Sequence, residues 1–153
     1  MKKITSLVLA LLSLLLVFSL AACDTQENDT STPTDTTIES SNEIEAVGLW
    51  KDATYRSNAT VGNGAKSVTV SILADGKSVT LTVKTDKDDL GSALYELGII
   101  NDASFFNTCN GIKADWNADQ AWWAFKQDGV MLNYGVDNAR INGGESFSIE
   151  YTK

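Results

Sequence analysis

The chain has 153 residues, a net charge of −8 at pH 7, two cysteines, one proline and no histidine. Without histidine, Ser-His-Asp and Cys-His catalysis, the usual zinc and haem ligand sets and the commonest general base near neutral pH are excluded, so an enzyme would have to run on carboxylates alone. The acidity is uneven: residues 46–153 carry thirteen acidic and ten basic side chains, a net of −3, with no basic stripe to displace counterions from phosphates, which argues against nucleic acid.

The chain starts with Met1, Lys2 and Lys3, runs through an apolar stretch over residues 4–20, and reaches Leu20-Ala21-Ala22-Cys23. A basic start, an apolar stretch and small residues before a cut describe an export signal over residues 1–22. Leu-Ala-Ala-Cys resembles the lipobox of bacterial lipoproteins. The resemblance implies cleavage before Cys23, diacylation of its thiol, and anchoring by lipid at the extracytoplasmic face of the cell membrane. An uncleaved membrane helix with an incidental cysteine is the alternative, which the lack of positive charge after the span fits poorly.

Residues 24–45 contain seven acidic side chains, no Lys or Arg, the single proline and almost nothing apolar. Such a segment cannot bury enough surface to offset its ordering entropy, so residues 23–45 are expected to form a lipidated cysteine and disordered tether. A flexible chain of that length spans about 25 Å, and its like charges lengthen it. With Cys23 lipidated, Cys109 has no disulfide partner and is expected to be buried and inert.

Residues 49–61, with Trp50 and Tyr55, suggest an edge strand. Residues 67–74, SVTVSILA, and 77–84, KSVTLTVK, alternate apolar and polar positions around Asp75-Gly76, a strong hairpin signal. Then the period changes: Leu90, Ala93, Leu94 and Leu97 fall at i, i+3, i+4 and i+7, with Asp86, Asp88 and Asp89 at the helix start and Gly98 at its stop. The three aspartates read more simply as helix-start residues than as a metal or acid/base cluster.

Strand patterns follow over 105–109, 112–114, 121–127, 131–134 and 146–152, punctuated by Asn110-Gly111, Asp128-Gly129 and Asn142-Gly143-Gly144. The expected fold over residues 46–153 is α+β, a small β-grasp-like domain of antiparallel hairpins with one helix.

Within residues 114–125, ADWNADQAWWAF, the side chains Asp115, Asn117 and Asp119 match the first three ligand positions of an EF-hand loop. Gln120 stands where the sharp turn needs glycine, and Lys126 stands where a bidentate carboxylate should close the shell. Asx residues also favour loops through bonds to their own backbone. In the strand that follows, Trp123 and Phe125 face one way and Trp122 the other, so Trp123 is expected in the core and Trp122 at the surface.

The runs NGIKAD (110–115), WWAF (122–125), DGV (128–130), LNYGV (132–136) and FSIEY (147–151) resemble the transcobalamin-like C-terminal domain family. That is the small β domain of transcobalamin and intrinsic factor, found also in bacterial surface lipoproteins. The resemblance covers residues 46–153, with Trp122 where tyrosine is usual and Cys109 where an aliphatic residue is usual. It implies a β-grasp-type domain that covers one face of cobalamin while a separate helical domain holds the other.

By position, the resemblance implies ligand contacts from Met131, Leu132, Asn133, Tyr134, Gly135 and Val136, and strand alternation adds Trp122 as the indole free to meet a ligand. Residues 1–153 give no expectation of a helical domain, so a single-faced site would bind weakly unless a partner completes it. The expected function is therefore a membrane-anchored ligand-binding lipoprotein that takes cobalamin or another flat small molecule for a transporter. The alternative is a cell-surface protein-interaction module with no small-molecule ligand. Neither enzymatic activity nor a resident cofactor is expected.

Overall fold

The computed structural model describes residues 37–38 and 43–153. The export signal 1–22, Cys23 and most of the acidic tether lie outside the described residues. Within the tether stretch, Thr37–Ile38 (β1) pairs antiparallel with Ala59–Val61 (β2).

The hairpin comes from alternation and one turn. Lys66–Ala74 (β3) and Lys77–Thr85 (β4) pair in continuous register from Lys66↔Thr85 to Ala74↔Lys77. Asp75 and Gly76 take φ of 51° and 69°, the left-handed pair that a twisted two-residue hairpin requires. Val68, Val70, Ile72, Val79, Leu81 and Val83 are buried on one face, while Ser and Thr alternate with them on the other.

Leu90–Glu96 forms the helix, α1. Asp89 caps it: Ser92 N–H donates to Oδ1 at 2.7 Å, and Ser92 Oγ donates to Oδ2 at 3.0 Å. Leu90, Ala93 and Leu94 are buried, and Gly98 follows at φ 66° to end the helix. The neighbouring aspartates have separate partners: Asp86 accepts from Ala65 N–H, and Asp88 pairs with Lys66 at 2.7 Å.

Thr108–Cys109 (β5) and Ile112–Lys113 (β6) make a short separate hairpin. Trp122–Gln127 (β7), Val130–Met131 (β8) and Ser146–Thr152 (β9) complete the main sheet, in the order β1-β2-β4-β3-β9-β7-β8. The β3–β9 pair is parallel, the β7–β9 pair antiparallel. A hairpin, a helix and a last strand returning parallel beside the first is the β-grasp arrangement within an α+β domain.

Three local expectations change. Residues 49–61 do not run as one strand: Gly48–Asp52 is a 3-10 helix, because turning there buries Trp50 fully and lets its indole N–H donate to Ala74 O at 3.0 Å. Residues 105–107 stay out of a strand because Asp102 Oδ1 accepts from Ser104 and Phe105 N–H, while Asn101 Oδ1 accepts from Asn107 and Thr108 N–H. The pairing after Asp128-Gly129 is confined to Val130–Met131, and Gly135 then approaches Ser104. The sheet also contains two parallel pairs, β2–β4 and β3–β9, long-range pairings that local alternation does not reveal.

Candidate functional site

The helical turn Trp116–Asp119 and the start of β7 form one wall of an open cleft, and the loop ending at Asn107 forms the other. Phe106, Asn107, Lys113, Ala114, Asp115, Trp116, Asn117, Ala121, Trp122 and Trp123 line a volume of about 450 Å³. Trp116 is 61% exposed and Trp122 40%, whereas Trp123 is buried at 8%. The adjacent tryptophans therefore divide between the core and the surface.

Each wall has a local cause. Asp115 caps the helical turn, with Oδ1 accepting from Asn117 N–H at 3.1 Å and Ala118 N–H at 3.2 Å. Its Oδ2 pairs with Lys113 Nζ at 3.1 Å. The Lys113 ammonium, then the Ala118 N–H, holds the carboxyl below its ordinary range. Gln120 takes φ 57° and ends the turn. On the opposite side, Asn107 O accepts from both Ala114 N–H at 2.8 Å and the Trp123 indole N–H at 3.2 Å. Tyr151 meets Trp123 edge-on with centroids 5.4 Å apart, and Phe125 stacks on Phe147 at 5.7 Å.

These bonds decide how the Asp-x-Asn-x-Asp array is used. Asp115 caps, Asn117 stands within the turn, and Asp119 Oδ2 accepts from Tyr151 OH at 3.1 Å and pairs with Lys153 Nζ at 2.9 Å. The Lys153 bond lowers the Asp119 pKa. Among the described residues, no three His, Cys, Asp or Glu side chains converge as a metal site. The carboxylates behave as loop-forming groups that set β7 in register.

Of the residues expected to contact a ligand, Trp122 lines the cleft; the other six do not. Met131, Asn133 and Tyr134 are exposed on and after β8, at the other end of β7. Leu132 is half-buried against the core. Gly135 faces the Asp137 carboxylate, and Ser104 Oγ donates to the same side chain at 3.1 Å. Val136 is buried and offers no surface to a ligand.

Sequence reasoning missed Trp116, Phe106 and Asn107. An available signal for Trp116 was its place directly after a capping aspartate, on a turn too short to bury a large side chain. Nothing local marks Phe106 and Asn107, which reach the cleft through the long-range bond to Trp123. Cys109 is fully buried, and burial raises its thiol pKa well above the usual value, so it is an inert core group.

No family model and no curated protein matches the chain. Among solved structures, it is similar to a Ruminococcus gnavus ATCC 29149 protein provisionally assigned to metal binding, at 23% identity and TM-score 0.54, over 58% of this chain and 98% of that one. A second similarity is to haptocorrin in complex with Cbi, at 17% identity and TM-score 0.46, over 60% of this chain and 27% of that one. The chain thus spans about a quarter of haptocorrin's length. The likeness to the Ruminococcus gnavus protein shows a shared fold, the small α+β domain described above.

Proposed function

We propose that this protein is a non-catalytic binding protein, lipid-anchored at the extracytoplasmic face of the cell membrane through Cys23. It holds a flat, bulky small molecule of the cobalamin type against the Trp116–Trp122 cleft. The observation that carries the reading is the pair of large indoles left exposed around a cleft whose other lining groups, Asn107, Lys113, Asp115 and Asn117, can hydrogen-bond. Exposed apolar surface gathered at a concavity with a few polar groups is the usual form of a small-molecule site. The resemblance of residues 110–115 and 122–125, which reach this cleft, to the transcobalamin-like family supports cobalamin as the ligand class; the contacts it implies over residues 131–136 lie outside the cleft.

Covering one face of such a ligand supports only weak binding, on the order of micromolar, unless a transporter or another partner supplies the second face. With no histidine in the chain, cobalamin would keep its own base on cobalt. Titration with cyanocobalamin, read by tryptophan emission corrected for absorbance, tests the proposal. Saturable quenching, lost in Trp122→Ala, is expected; no saturable change at tens of micromolar removes cobalamin as the ligand.

A second reading, a protein-interaction module, is favoured by Phe105, 92% exposed on a loop fixed by Asp102, together with exposed Val130, Met131 and Tyr134. Pull-down by the full chain, compared with Phe105→Ala, separates the two. Loss of a protein partner without change in small-molecule binding supports the module.

A further inference from the structure

The tryptophans of the cleft stand on two separate elements. Trp122 and Trp123 belong to β7, which is paired with β9 along its whole length. Trp116 belongs to a four-residue helical turn, too short to hold its place by its own hydrogen bonds. Something outside the turn must fix it relative to the strand.

Tyr151 on β9 makes both connections. Its ring meets Trp123 edge-on, at 5.4 Å between centroids and 83° between planes, and its hydroxyl donates to Asp119 Oδ2 at 3.1 Å. Asp119 is the last residue of the turn that begins with Trp116, and its carboxylate is also held by Lys153 Nζ at 2.9 Å. One rigid ring therefore links Trp123 of β7 to the far end of the turn, while Asp115 fixes the near end.

We propose that Tyr151, acting through Asp119, is a positioning residue that sets the separation between Trp116 and Trp122 at the start of β7, and with it the fit of the ligand. The proposal rests on the cleft being the binding site, and it adds a residue that lies outside the cleft lining. Tyr151→Phe is the sharp perturbation, because it keeps the ring on Trp123 and removes only the hydroxyl. The turn then loses its tie to β9 through Tyr151 and samples a wider set of positions, while Trp122 stays in its strand.

The test labels the full chain with 5-fluorotryptophan and assigns the four fluorine signals by single Trp→Phe substitutions. In Tyr151→Phe, the Trp116 signal is expected to shift and broaden while that of Trp50, buried beneath Ala74, stays fixed and reports an intact core. Asp119→Ala should act similarly, whereas Asp119→Asn keeps an acceptor for the hydroxyl and should leave Trp116 nearer its original signal. Cyanocobalamin affinity should fall about three- to tenfold in Tyr151→Phe. In a Trp116→Ala background the same change should have less than about a twofold effect, because the residues act as one unit.

An unmoved Trp116 signal in Tyr151→Phe would overturn the proposal, as would an equal affinity loss in the Trp116→Ala background. A parent chain that binds no cyanocobalamin would overturn the ligand reading instead, and the Trp116 signal would still decide the positioning role.

Discussion

Asn110→Ala should destabilise the domain by about 3–5 kcal/mol, well above the usual effect of a surface change. Asn110 is fully buried, and its amide bonds both backbone groups of Tyr55. Tyr55 N–H donates to Asn110 Oδ1 at 2.7 Å, and Asn110 Nδ2 donates to Tyr55 O at 2.8 Å. Truncation leaves both backbone groups without partners. Each costs roughly 1–3 kcal/mol, and Tyr55 is only half-buried, so the pair contributes about 2–3 kcal/mol. Asn110 also sits at φ 53°, where alanine costs roughly 1–2 kcal/mol and asparagine less.

Urea unfolding followed by tryptophan emission measures the loss, which corresponds to a Tm decrease of about 15–30 °C for a domain of this size. Asn110→Gly removes the same bonds but accepts the backbone angle, so it should cost only about 2–3 kcal/mol. An alanine variant within about 1 kcal/mol of the parent would refute the argument that this amide staples the β5–β6 hairpin to Tyr55.

Gly111→Ala should be more disruptive than Gly76→Ala, although both glycines have positive φ. A Cβ at Gly111 would meet Asp52 O at 2.1 Å, whereas one at Gly76 meets nothing within 4 Å. Comparative urea midpoints check this, and equal losses would contradict it. Cys109 should resist a thiol reagent at pH 8 in the folded chain and react on unfolding; rapid reaction of the native protein would contradict its burial. Acid should weaken the fold. Asp102, Asp115 and Asp119 have folded pKa values below the ordinary 3.8, through Phe105 N–H, Lys113 and Lys153 respectively. Their stabilisation is present above that value and is lost as pH falls through the lower folded pKa values. Tm should therefore be level with respect to these groups above about pH 5 and decline below about pH 4; an increase in Tm below pH 4 would contradict the sign.

The parts of the fold that the sequence announced are those where a local rule and the global structure agree. Asp75-Gly76, Asn110-Gly111 and Asp128-Gly129 all take the left-handed pair their residue types favour, and Asp89 caps α1 as its position suggests. The division of Trp122 from Trp123 followed from strand alternation alone. What was not legible depended on partners distant in sequence. Trp50 leaves the expected strand because its indole finds Ala74, 24 residues away, and Asn107 enters the cleft through Trp123, 16 residues away. Trp116 lies inside the Asp-x-Asn-x-Asp array, whose residue types signal a loop and say nothing of where its indole points. The capping bonds turn the same residues into a support for an exposed indole.

If the exposed indoles Trp116 and Trp122 form a binding surface for a flat small molecule, removing both must weaken that binding. Equilibrium dialysis of cyanocobalamin against the full chain and against Trp116→Ala/Trp122→Ala measures this. Both side chains are exposed, so the double variant should keep its unfolding midpoint. The parent should show saturable one-to-one binding and the variant at least about a tenfold weaker affinity, equivalent to about 1.4 kcal/mol. Equal binding by the two proteins, or no saturable binding by the parent, would contradict it.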